Sequence, residues 1–322
     1  MAAAMALTRT VVVVVIVVIF CLLSIGVQGE YCKPNPICKI KKEDSLGVGS
    51  FVAYPGYNGP HVNVKGSITV RHGQDGQLML KLNGLRGLAP DCMGCGLHIH
   101  AGTSCIDGDN GAAGPHYWQP TSSPDPWNLV GYDSNSKGES SNSVIVLSNG
   151  FGYHDHVGRS VVIHDAQGTR MACGILEEPT FKNEPIRVLR ARVGAYPGYA
   201  GANIIGGMAR VTFYQDDSFR FSMSLTLPKE EAPCVKCGVH IHEGYSCDTD
   251  TGPHYWNKEE GDRPDPWSAA NFTYYNADEY GNGKANFFLD NGISLEGNVG
   301  RTITVHAQDG RRIGCGVLEP IG

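Results

Sequence analysis

Eight of the twelve histidines carry the chemistry of this chain, because they fall in the same order twice. His98-Ile99-His100 is followed by His116 and His164, and His240-Ile241-His242 by His254 and His306. In a strand, residues i and i+2 point to one face, so each His-Ile-His presents two imidazoles side by side. A third histidine in a Gly-Pro-His loop and a fourth closing a β-branched run complete a four-nitrogen set. Four neutral imidazoles in a flattened arrangement suit copper(II) and remain acceptable to copper(I). His61, His72, His154 and His156 do not recur and are assigned structural roles.

The elements that must position these histidines also repeat. A shift of 142 residues places Tyr54-Pro55-Gly56-Tyr57 on Tyr196-Pro197-Gly198-Tyr199, Cys92 to His100 on Cys234 to His242, and Gly158 to Glu177 on Gly300 to Glu319. A period of that length is a whole domain rather than a solenoid repeat. The polar stretch Glu178 to Glu184 marks the boundary. The expected organisation is residues 1–29 as a signal peptide, 30–45 as an N-terminal segment, 46–180 as the first repeat and 181–322 as the second.

Within each repeat the pattern is β. Residues 61–65 and 67–71 alternate, as do 77–82, and 143–147 and 160–164 are rich in β-branched residues. Clusters of glycine, asparagine and aspartate separate these runs, and no long stretch has helical periodicity. The expected fold class is all-β, with two tandem Greek-key β-barrel or sandwich domains of immunoglobulin-like form.

Only 18% of residues are charged, against 42 glycines and 18 prolines, which suits a turn-rich β protein. The formal charge of −6 argues against a nucleic-acid partner. Arg9, the apolar run Val11 to Ile25 and the small residues ending at Gly29 read as a cleavable secretory signal, with an uncleaved anchor as the competing reading. Cleavage removes one cation and no acid, leaving a secreted product with no membrane attachment. Of the 11 cysteines, Cys21 leaves with the signal, and the even number remaining fits an oxidising compartment.

Gly-Leu-His98-Ile-His100, Gly-Pro-His116 and Gly158-Arg159-Ser-Val-Val-Ile-His164, followed by Arg170-Met-Ala-Cys173-Gly174, resemble the signatures of the copper/zinc superoxide dismutase family. The second half carries the same set. With two copies, the chain is most similar to the extracellular copper-only superoxide dismutase repeat proteins. The resemblance implies one copper per repeat, on His98, His100, His116 and His164 and on His240, His242, His254 and His306. It implies that Arg170 and Arg312 stand beside the open copper position and draw in superoxide, the substrate. It further implies disulfides from Cys105 to Cys173 and from Cys247 to Cys315, tying each ligand-bearing loop to its barrel, and it leaves open an intramolecular pairing of the two repeats of the kind seen in family dimers.

The departures matter equally. No histidine lies between Tyr117 and Tyr153 or between Tyr255 and Val305, so an imidazole-rich zinc site cannot be built there and zinc is not expected. The resemblance puts His116 and His254 in the place of the family's metal-bridging histidine, and without zinc these bridge-equivalent histidines need another group on the far nitrogen. Asp125 and Asp265, each within Pro-Asp-Pro-Trp, are the candidates, with a plain rigid turn as the alternative and Asp133 as a second candidate in the first repeat. Only residues 165–169 and 307–311 separate the fourth histidine from the arginine, where zinc-containing relatives carry a long charged loop.

Cys92 with Cys95 and Cys234 with Cys237 read first as local disulfides, with copper loading or zinc binding as alternatives. Cys32 and Cys38 would close a small loop, and Asn271-Phe272-Thr273 is a glycosylation sequon. Two function classes follow: a superoxide dismutase, or an extracellular copper-binding, storage or structural protein with little turnover. Both arginines favour the enzyme, since storage needs no anion-attracting group beside the metal.

Overall fold

The computed structural model describes residues 45–59, 63–106, 113–120, 124–140, 143–178, 185–201, 205–259 and 264–321. The signal and N-terminal segments with Cys32 and Cys38, His61, and residues 179–184 of the expected boundary lie outside them. Among the described residues no helix is long and apolar enough to cross a membrane. Among the described residues the α-helices are single turns, α1 (Tyr153–His156) and α2 (Leu295–Asn298).

The first half is a sandwich of antiparallel sheets. One contains β1 (Ser45–Val48), β3 (Lys65–His72), β4 (Gln77–Arg86) and β7 (Val144–Ser148), in that order. The other runs β2 (Val52–Ala53), β9 (Arg170–Ile175), β8 (Ser160–His164), β5 (Cys95–His100), β6 (Gly131–Tyr132). Ile68, Val70, Leu78, Leu80 and Leu82 from one sheet meet Leu97, Ile99, Val161 and Ile163 from the other in a single apolar core.

Of the strand expected over 61–65, residues 61 and 62 lie outside the described residues, and β3 begins at Lys65, although Val64 is buried. Gly66 explains the break. It takes φ +107, and a Cβ there would sit 2.6 Å from the Gly84 carbonyl oxygen. The register between β3 and β4 shifts there, between Lys65 and Ser67.

The second half closes into a barrel. Its strands are β10 (Pro185–Ala195), β11 (Gly206–Tyr214), β12 (Phe219–Thr226), β13 (Cys234–His242), β14 (Tyr274–Ala277), β15 (Asn282–Leu289), β16 (Thr302–His306), β17 (Arg312–Val317) and β18 (Glu319–Pro320). Their order is β11-β12-β15-β14-β13-β16-β17-β10-β18, and β10 also pairs with β11, which completes the ring. Phe213, Phe219, Phe221 and Phe287 fill the centre together with Trp267. The chain is thus all-β, with the Greek-key order in which β13 and β14 lie beside β16 and β15 rather than beside β12.

β4 is buried on both faces. Leu78, Leu80 and Leu82 enter the first core, while Gln77, Met79 and Lys81 point the other way and are covered by the second half. There the Gln77 side-chain amide pairs with the backbone of Phe288 like a neighbouring strand, donating to its carbonyl at 2.9 Å and accepting from its N–H at 2.8 Å. The Arg71 guanidinium donates to Asp216 and lies 4.2 Å from the Tyr214 ring centroid. Lys81 forms an ion pair with Asp290, and both side chains are almost fully enclosed.

Removing one member of such a pair strands a buried charge. Lys81→Ala is therefore expected to lower stability by about 3–5 kcal/mol. Urea unfolding of the whole chain tests this, and a loss under about 1 kcal/mol, the scale of exposed pairs, would contradict the role of the contact.

Candidate metal centres

The strand pattern delivers the histidines as expected. His98 and His100 share a face of β5, His164 ends the neighbouring β8, and an isolated bridge joins His100 to His116. β13, β16 and the His242–His254 bridge repeat the arrangement. A glycine clears room beside each pair, since a Cβ on Gly96 would fall 2.5 Å from the His98 ring and one on Gly238 2.6 Å from the His240 ring.

One nitrogen from each of His98, His100, His116 and His164 lies within 4.8 Å of the others. His240, His242 and His306 meet the same limit. His254 lies beside them, with its ring centroid 4.3 Å from that of His240 and 5.1 Å from that of His242, as His116 lies 4.4 Å and 5.0 Å from those of His98 and His100. The structure thus brings four expected ligands together in the first half, and three with the fourth in ring contact in the second.

The hydrogen bonds fix which nitrogen faces the centre. His100 Nδ1 donates to the Gly114 carbonyl at 2.9 Å and His164 Nδ1 to the Gly168 carbonyl at 2.9 Å. His242 and His306 donate likewise to Gly252 and Gly310. A carbonyl only accepts, so each Nδ1 carries the proton and each Nε2 keeps its lone pair. His98 and His240 are reversed, hydrogen-bonded to the backbone of Val130 and Thr273. The remaining atoms, His98 and His240 Nδ1 and the Nε2 of His100, His164, His242 and His306, are buried without a hydrogen-bond partner. Buried polar atoms are normally satisfied, so six lone pairs facing two common points mark ligand positions. Neutral imidazoles of this kind fit copper.

Burial is the main cause that holds these rings neutral, with neighbouring imidazoles and arginine adding to it. The His98 and His100 pKa values fall to about 3 and that of His242 to about 4, and those of His164, His240 and His306 are also lowered. In the unfolded chain histidine titrates near ~6.5. Between those limits the unfolded state binds more protons than the folded one, so metal-free protein loses stability as pH falls from about 6.5 toward 3. Urea unfolding of metal-free protein at pH 7 and pH 5 should show the decline, and equal stability would contradict it.

Asp125 and Asp265 take the bridge-equivalent histidines. His116 Nδ1 donates to Asp125 Oδ2 at 2.7 Å, and His254 Nδ1 to Asp265 Oδ2 at 2.7 Å. The other carboxylate oxygen of each accepts from the backbone N–H of Trp127 or Trp267, so the Pro-Asp-Pro-Trp turn and the histidine are held by one side chain. Asp133 instead accepts from the Gly94 N–H in the Cys92–Cys95 turn. Asp125→Asn with Asp265→Asn is expected to weaken copper binding about 10- to 100-fold and to change its absorption spectrum. Unchanged affinity and spectrum would reduce both residues to turn formers.

Each arginine is tied to its histidines through one carbonyl. Arg170 Nη2 donates to Gly114 O at 2.7 Å, the same oxygen that receives His100, and Arg312 Nη2 to Gly252 O at 2.7 Å, which receives His242. The sequence reading passed over two partners. Tyr54 OH accepts from Arg170 Nη1 at 2.7 Å and Tyr196 OH from Arg312 Nη1 at 3.1 Å. The signal was the recurring Tyr-Pro-Gly-Tyr, noticed as a repeat but not connected to the arginines.

Disulfides join Cys105 to Cys173, Cys247 to Cys315, Cys92 to Cys95 and Cys234 to Cys237. The short turns after His164 and His306 supply the Gly168 and Gly310 carbonyls, a direct backbone hold on the fourth histidine. His72 and His156 hydrogen-bond to each other, and His156 also to Asn149, outside the cluster. Asn271 is half-buried with its amide donating to Pro266 O, and the Thr273 hydroxyl of the sequon is enclosed on Trp267 O.

The fold and site define an all-β protein with two imidazole clusters, each backed by a carboxylate and an arginine. No family model and no curated protein matches the chain. Among solved structures, the clock protein EA4 is 22% identical, with 44% of this chain and 99% of that one covered at a TM-score of 0.31. Candida albicans superoxide dismutase 5 in its Cu(II) form is 19% identical, with 42% and 92% covered at a TM-score of 0.28.

Proposed function

We propose that the chain is a secreted copper-dependent superoxide dismutase with two tandem domains, one four-histidine copper centre in each and no zinc. The observation that carries this reading is the convergence of unpartnered imidazole nitrogens with an arginine anchored on the same carbonyl as a ligand histidine. Copper, when bound, would supply the one-electron redox chemistry by which two superoxide ions and two protons become dioxygen and hydrogen peroxide.

The chain's own residues do the rest. His98, His100, His116 and His164, and their counterparts in the second half, hold the metal in a set acceptable to both oxidation states. Asp125 and Asp265 fix the tautomer of His116 and His254 so that Nε2 faces the metal. Arg170 and Arg312 attract and orient the anion and stay cationic throughout. Tyr54 and Tyr196 keep each guanidinium turned toward the site.

Copper paramagnetic resonance on protein reconstituted with copper alone tests the ligand sets. Two centres with nitrogen hyperfine structure are expected, and copper confined to carboxylate or thiolate ligands would contradict the reading.

A further inference from the structure

Arg312 differs from a bare anion-attracting group, because a carboxylate of the same chain already sits on it. Asp250 Oδ1 accepts from Arg312 Nη1, and the same oxygen accepts from the Gly252 N–H at 2.7 Å. Nη1 also reaches Tyr196 OH and, at 3.4 Å, Thr251 Oγ1, while Nη2 is committed to Gly252 O. Asp250 is therefore held by its own turn at the one end of the guanidinium that faces an exposed acid, with its side chain 80% exposed to solvent. An anion arriving from solvent meets a cation whose partner is tethered two residues from the Gly252 carbonyl.

We propose that Asp250 is a built-in competitor for Arg312, setting the affinity of the second centre for small anions such as superoxide, which must displace the carboxylate to reach the guanidinium. The assignment of superoxide rests on the dismutase reading above, whereas competition for the guanidinium does not. An exposed ion pair is weak and screened by salt, so the carboxylate attenuates the site without closing it. A tethered group acts at high effective concentration, which lets a weak pair compete with a dilute diffusing anion. Asp250 is a positioning residue here: it touches Arg312 and not the histidines.

The test uses Asp250→Asn, which keeps an oxygen acceptor for the Gly252 N–H and removes only the charge. In metal-free full-length protein, phenylglyoxal modification of individual arginines is followed by peptide mass spectrometry, with inorganic phosphate as the protecting anion. Arg312 in the variant is expected to react about 2- to 5-fold faster, and phosphate to protect it at a concentration about 2- to 5-fold lower. Arg190 and Arg210, on β10 and β11, should react as in the parent protein, and Asp250→Glu should restore slow modification. Unchanged Arg312 reactivity and phosphate protection in Asp250→Asn would overturn the proposal, even in a protein that dismutates superoxide. A copper-loaded protein without turnover whose Arg312 still responds as expected would overturn the dismutase reading and leave the competition standing.

Discussion

Replacing His100 and His242 together by alanine is expected to lower copper affinity at both centres by at least about a hundredfold, exceeding the loss typical of residues that merely support a ligand. Each donates through Nδ1 to a glycine carbonyl and leaves Nε2 buried without a partner. That arrangement has no evident purpose in a metal-free chain, because an unsatisfied buried nitrogen costs free energy. In each site the same substitutions remove one unpartnered nitrogen and one hydrogen bond to a glycine carbonyl that keeps its arginine donor, so metal-free stability near neutral pH should fall less than copper affinity. Equilibrium copper titration beside urea unfolding of the metal-free variant separates the two. Copper bound as tightly as before would mean that the lone pairs serve packing, and the central assignment would fail.

The second large effect concerns the arginines. Arg170→Ala with Arg312→Ala is expected to reduce the second-order rate with superoxide about tenfold or more at unchanged copper content. The loss should shrink as salt rises, because screening already weakens the attraction in the parent protein. Each guanidinium shares its glycine carbonyl with a ligand histidine, so its removal leaves the imidazole hydrogen bond in place. Stopped-flow or pulse-radiolysis rates on copper-loaded protein test this. A variant with full copper and an unchanged rate would remove both arginines from the reaction.

The histidine sets were legible in the sequence because repetition separates function from chance. His98, His100, His116 and His164 recur with the same neighbours, while His72 and His156 do not and hydrogen-bond to each other instead. Asp125 and Asp265 were legible for the same reason, and Asp133, present in one half only, holds a turn. The β character followed from alternation at 67–71 and 77–82, but the break at Gly66 did not, since it arises from close approach of the Gly84 backbone.

Contacts between the halves were the least visible. Gln77, Met79 and Lys81 alternate with the leucines of 78–82, and nothing local indicates that a second sheet covers them. Tyr54 and Tyr196 lie 116 residues from the arginines they meet, so their role depends on tertiary closure that spacing does not reveal. Asp250 is hidden in another way, as one more acid in a polar loop until the fold sets it on Arg312.

The most direct test of the central claim is metal content and superoxide dismutation on the same purified full chain, reconstituted with copper alone. Two coppers per chain and rapid dismutation that needs no zinc are expected. Two bound coppers with negligible turnover would contradict that claim, leaving a copper-binding protein that has the ligands and the arginines without the enzyme.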